Sequence, residues 1–198
     1  MKIIKSTVLL MLLSVLTVNA QKIKVTNGSL GVLKGVDKIN IEYDYEGMMI
    51  GKKKSEGEYI KEKKAAYNKK EEGRGEQWEK AWVADRAGRY QPHFEELFNK
   101  VSGKTVGDFP DAKYTMVVKT TRTEPGFNIH IQRKNAEIDL MISIVETANR
   151  DSKKAEVTLI KAPGRSAGGY DYDSGVRIEE AYEMAGKAFG KYVKKQAK

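Results

Sequence analysis

Between Ile39 and Glu46 apolar and polar residues alternate, with Ile39, Ile41, Tyr43 and Tyr45 on one side and Asn40, Glu42, Asp44 and Glu46 on the other. A period of two is that of a strand with one face buried, so this segment is expected to be a strand with a solvated acidic outer face. Upstream, Ile23 and Val25 lead into Asn27-Gly28. That dipeptide favours a tight hairpin turn, with Leu30 to Leu33 as the return strand. The second half repeats the alternation. Tyr114, Met116 and Val118 form one set, Ile138, Leu140, Ile142 and Ile144 a second, and Val157 and Leu159 a third. Three neighbouring strands predict a sheet. The polar stretch Asn149 to Lys154 is expected to turn the last two into a hairpin, and a longer connection from Glu124 to Asn135 carries a short strand at Phe127 to Ile131.

From Gly57 to Val101 the period becomes helical. Trp78, Ala81 and Trp82 share a face, and Phe94, Leu97, Phe98 and Val101 fall at the spacing that buries a stripe. One helix is expected near Glu58 to Glu71 and a second from about Glu76, with an interruption at Gly73 and Gly75 and another bend or break at Gly88 and Pro92. Aromatic residues at this spacing point to core packing rather than to a ligand platform. A last helix follows from Ile178, Ala181, Tyr182, Ala185, Phe189 and Tyr192, with lysines at its C-terminal end. The pattern predicts an α+β fold: a single layer of antiparallel or mixed sheet with helices packed mainly on one face.

Residues 1–20 follow a different logic. Lys2 and Lys5 precede an apolar run from Val8 to Leu16, and Val18-Asn19-Ala20 supplies small residues for cleavage, which reads as a secretory signal peptide. The run is shorter than the roughly 20 residues a bilayer span needs, and no comparable segment follows. The expected organisation is a leader over 1–20 and one α+β domain over 21–198, exported to the periplasm or beyond. The chain has no Cys, which excludes disulfides, thiol nucleophiles and a cysteine-linked lipid anchor. Its formal charge is +9, which becomes +7 without Lys2 and Lys5. Such an excess suits anionic partners but also serves solubility, and nucleic acid is not the favoured partner.

Candidate chemistry is sparse. Lys52, Lys53 and Lys54 open a run that continues to Lys70 and could attract a polyanion, but Glu56, Glu58, Glu62, Glu71 and Glu72 lie within or beside it and cancel much of its field. His93 and His130 are the near-neutral bases and sit in separate segments. Gly164-Arg165-Ser166-Ala167-Gly168 matches the GxSxG pattern, but a glycine-rich loop follows where a nucleophile elbow needs a helix, and both histidines precede it. The aspartates of Gly168 to Gly175 suit a helix cap better than a calcium loop, which needs a longer segment. No catalytic set, metal site or cofactor is expected. Loops on a rigid scaffold often carry recognition, which selects Phe127, His130, Tyr170, Asp171, Tyr172 and Asp173, with Lys52 to Lys54 as a basic alternative.

A resemblance rests on Gly28-Ser29-Leu30 with Leu33-Lys34-Gly35, Tyr43-Asp44-Tyr45, Trp78 with Trp82, Thr123-Glu124-Pro125-Gly126-Phe127, Ile144-Val145-Glu146-Thr147, and Arg177-Ile178 with Ala181-Tyr182. These segments, spread over most of 21–198, resemble a group of small Sec-exported bacterial envelope proteins of unknown function. The order of elements is also similar to the amino-terminal domain of TolB and to curli-secretion lipoproteins, though the lipid-anchor Cys of the latter is missing. The resemblance implies no activity. The function expected is that of a noncatalytic binding or assembly module of the bacterial envelope, whose partner is an envelope protein or another envelope component. The rival expectations are a hydrolase of envelope sugars or peptides, and a polyanion binder using Lys52 to Lys70.

Overall fold

The computed structural model describes residues 21–129, 131–164 and 173–197, so the expected leader lies outside it. The strands are β1 (Lys22–Gly28), β2 (Lys38–Asp44), β3 (Met49–Ile50), β4 (Lys54–Ser55), β5 (Thr105–Gly107), β6 (Tyr114–Glu124), β7 (Phe127–Asn128), β8 (Arg133–Lys134), β9 (Ala136–Glu146) and β10 (Asn149–Gly164). The helices are α1 (Glu56–Asn68), α2 (Arg74–Asp85), α3 (Gln91–Ser102) and α4 (Ser174–Gln196). The main sheet runs β1-β10-β9-β6-β2-β5, with β3 continuing the row of β2 along β6. β1, β10, β9 and β6 are antiparallel neighbours, whereas β2 and β3 run parallel to β6. The fold is therefore α+β with a mixed, open sheet.

The alternations seen in the sequence set the inner face. Met116 and Val118 of β6, Ile138 to Ile144 of β9 and Val157 and Leu159 of β10 are fully buried at alternate positions. Helices α3 and α4 pack against each other, and α4 lies over β9 and β10. Phe94 and Phe98 of α3 and Phe189 of α4 meet there, Phe98 and Phe189 at 5.7 Å between ring centres. Each such buried ring contributes about 1.5–3 kcal/mol. The two helices approach closely because Gly186 and Gly190 of α4 sit against the backbone of Phe94 and Phe98. Trp78 and Trp82 of α2 stack on each other at 5.6 Å and meet Tyr59 of α1, so the aromatic stripe is packing.

Three expectations fail locally. Asn27-Gly28 makes no hairpin: β1 pairs with β10, and Leu30–Leu33 form a 3-10 turn capped by the Ser29 hydroxyl. Gly28, at φ 64°, serves a close approach instead, since a Cβ there would lie 1.9 Å from the Lys154 carbonyl oxygen. Leu30 and Leu33 are both buried, and that spacing of three is a helical one. Second, the segment 149–154 is strand; the turn is confined to 147–148, and polar residues dominate because this end of β10 is largely exposed. Third, of the bend or break expected at Gly88 and Pro92, the helical backbone shows no break. A π-helical turn over Arg86–Tyr90 joins α2 to α3, and Pro92 sits in the first turn of α3, where its missing N–H is not needed.

Candidate functional site

Two bulges reshape the end of the sheet from which β7 and β8 project. β6 slips between Thr120 and Arg122, so that Met116, Val118 and Thr120 face the helices before the slip and Thr123 after it. β10 slips between Leu159 and Ala162, with Lys161 held at φ 57°. Both irregularities flank Asp139 of β9. Its carboxylate accepts the Lys161 backbone N–H at 2.7 Å and two N–H groups of Arg122 at 2.6 and 3.1 Å, while its carbonyl accepts the Thr121 hydroxyl at 3.1 Å. Arg122 also reaches Glu137 at 3.2 Å. The Asp139 bond, ahead of the effect of burial, pushes the Arg122 guanidinium above its ordinary range.

These side chains floor an open groove of about 550 Å³ on the face away from α4, walled by Met49, Lys52, Lys134 and Ile160. Glu124 also lines it. It pairs with Lys134 at 2.5 Å and accepts the Gly126 N–H at 3.2 Å, so each groove acid named here is matched by Arg122 or Lys134. Lys52 and Lys53, in the turn from β3 to β4, are exposed and have no carboxylate in ion-pair range among the described residues. The rim is therefore basic.

Above the groove, β7 and β8 form a small two-stranded sheet separate from the main one. Its base is pinned from the helical layer: Arg177, buried in the first turn of α4, donates to the carbonyls of Pro125 at 3.0 Å and Gly126 at 3.3 Å. Gly126 (φ 64°) lies so near the Lys134 carbonyl that a Cβ would approach it to 2.3 Å. The tip carries apolar residues outward. Phe127 is 40% exposed, Ile129 54% and Ile131 88%.

A second pocket of about 700 Å³ lies where β2 leaves β6, between the Tyr45–Met48 excursion and the start of α1. The Arg86 guanidinium covers the Tyr45 ring at 4.5 Å and pairs with Glu56, which also accepts the Trp82 indole N–H at 2.6 Å. Burial would raise Asp44 at the mouth, but its bonds from Lys119 at 2.6 Å and the Glu46 N–H outweigh that and hold its carboxyl below the usual range. Asp44, Glu56 and Arg86 of this pocket are each held in an ion pair.

The structure places the residues singled out from sequence as follows. Lys52 lines the groove, with Lys53 beside it in the chain, and Phe127 lies on the hairpin strand β7. Lys54 departs from them: it pairs with Glu62, as Lys64 does with Glu79 at 2.6 Å, so these two lysines of the basic run are neutralised. Asp173 caps α4, accepting the Gly175 N–H at 2.8 Å, and meets Arg89 at 3.1 Å in the helical layer. His130, Tyr170, Asp171, Tyr172 and Ser166 lie outside the described residues. His93 joins helices, with one ring nitrogen 2.8 Å from the Arg89 carbonyl and the other 3.1 Å from Glu179. Sequence reasoning missed Arg122, Glu124, Glu137 and Asp139. Their alternation on the polar faces of β6 and β9 was visible, but the bulge that opposes Arg122 to Asp139 was not. Among the described residues no group of three or more His, Asp or Glu is placed to hold a metal ion, and no helix is long and apolar enough to cross a membrane.

No family model and no curated protein matches the chain. Among solved structures, two forms of the PelC dodecamer from Paraburkholderia phytofirmans are similar at 10% identity. One, a variant, aligns with TM-score 0.39 over 83% of this chain and 96% of that one. The other aligns at 0.38 over 83% and 97%. TM-scores of this size say nothing about a shared role.

Proposed function

We propose that this protein is an exported, noncatalytic binding module of the bacterial envelope, working as one α+β domain over 21–198 after removal of residues 1–20, and that it meets its partner with the β7–β8 hairpin and the Lys52–Lys53 turn. Export rests on the order of charge, apolar run and small residues in the leader. The contact surface rests on one observation, the exposure of Phe127, Ile129 and Ile131 on a hairpin whose base is held by buried Arg177. An apolar side chain left in water forgoes about 1.5–3 kcal/mol of burial, so three of them on one pinned projection mark a surface built to be covered. Nearby acids are already matched by cations, which favours recognition over proton transfer.

The test is fractionation of cells producing the full chain. The expected result is an envelope-associated product that begins at Gln21, and a variant carrying both Ile129→Asp and Ile131→Asp that is processed normally but washes out of the envelope fraction. An unprocessed product would remove the export reading, and a double variant retained as well as the wild type would remove the contact surface.

A further inference from the structure

Resting on that reading of the hairpin, we infer that its partner is a lipid surface: the tip inserts into the interfacial region of a bilayer that carries anionic headgroups. Two features select this occupant. The first is size. A stable protein–protein contact takes about 800 Å² and roughly 20 residues from each partner, whereas the described tip offers Phe127 on a two-residue strand and Ile129 and Ile131 between the strands. A bilayer needs no matching shape, because acyl chains and headgroups close around whatever small apolar body enters them.

The second is the charge at the level the headgroups would occupy. Arg133 and Lys134 follow the tip directly and are exposed, and Lys52, beside Lys53, lines the same groove as Lys134. Lys134 is shared with Glu124, but Lys52 and Lys53 have no carboxylate partner among the described residues. Apolar residues at the tip with ammonium and guanidinium groups behind them reproduce the order of a leaflet, apolar interior first and phosphate above it. The acids of this end do not oppose the approach, since Arg122 binds Asp139 and Glu137. The hairpin is fit to enter as a rigid wedge: Arg177 holds Pro125 and Gly126, and Ile129 donates its N–H to the Gln132 carbonyl at 3.0 Å across the turn.

The experiment is co-sedimentation of the exported, processed protein with vesicles of phosphatidylcholine, alone or mixed with phosphatidylglycerol. Three forms are compared: the wild type, the Ile129→Asp/Ile131→Asp variant and a Lys52→Glu/Lys53→Glu variant, all with the same N-terminus and each checked for an unchanged thermal melt. The expected result is binding to the anionic vesicles that weakens with salt and falls roughly tenfold or more in each variant. Ile131→Trp should show a blue-shifted emission on adding anionic vesicles. No binding at low salt, binding undiminished by the tip substitutions, or equal binding to neutral vesicles overturns the inference. So does tip-dependent retention in the cell envelope without vesicle binding, or a tip-dependent dimer in its place; either would leave the contact surface standing and assign it to a protein.

Discussion

Asp139 accepts the backbone N–H of Lys161 at 2.7 Å, and this bond ties the bulge of β10 to the strand at its side. The same carboxylate holds Arg122 beyond the bulge of β6, so one side chain serves irregularities on both of its neighbours. A bulge leaves ladder groups unpaired, and a carboxylate is well suited to collect them. The groove under the hairpin owes its floor to this arrangement.

Removing the clamp should therefore loosen both strands. Asp139→Ala is expected to cost about 2–3 kcal/mol, the value of charge-assisted hydrogen bonds left unmade. Asp139→Asn keeps an acceptor for Lys161 but not the charge for Arg122, and should cost less. Urea unfolding measures the two losses. Hydrogen exchange separates their causes, since the Lys161 amide should lose protection in the alanine variant and keep it in the asparagine one.

Gly186 and Gly88 should respond to alanine with opposite signs. In α4 a Cβ on Gly186 would lie 2.2 Å from the Phe94 carbonyl oxygen, so the helices must part. The propensity gain of about 1 kcal/mol is then outweighed by overpacking against backbone, for a net loss of about 1–2 kcal/mol. Nothing lies within 4 Å of such a Cβ on Gly88. That substitution should stabilise by about 0.5–1 kcal/mol through the unfolded chain. Paired thermal melts of the two variants decide both signs.

Glu95 should make stability depend on pH. Its burial raises the carboxyl above its ordinary range, and the Tyr43 hydroxyl, 3.1 Å away, offsets this only in part. A raised acid binds its proton more tightly in the folded state. The resulting stability is full below the ordinary glutamate value of about 4.3 and is lost as pH rises through the folded value. Glu95→Gln removes the penalty of the charged form, so its stability relative to the wild type should increase from mildly acidic to neutral pH. Urea titrations at the two pH values measure the difference, and a constant difference would contradict the assignment.

The groove shows where reading a sequence stops. Periodicity identified the first half of β6 and the apolar face of β9, and it found Phe127 on a short strand within the long connection, but it stopped short of Arg122 and left Glu124 in that connection. It did not find the bulge at Thr120–Arg122, because a slip of one residue within one strand is visible only against its partner. It also assigned Asn27-Gly28 to a hairpin, since the same positive φ serves a two-residue turn or a glycine pressed against another strand.

By itself, then, the sequence determined the long strands and helices, which of their faces are apolar, and that the aspartates before Gly175 suit a helix cap. These are local matters, decided by side chains two to four residues apart and by the backbone groups they reach. The tertiary structure alone decided that β2 would run parallel to β6, that Glu62 would neutralise Lys54 while Lys52 found no carboxylate partner among the described residues, and that Arg177 would reach Pro125 and Gly126 beneath the hairpin. Such pairings join residues far apart in the chain. They follow from how the apolar faces pack together, and the same local pattern is compatible with many strand orders until the core selects one.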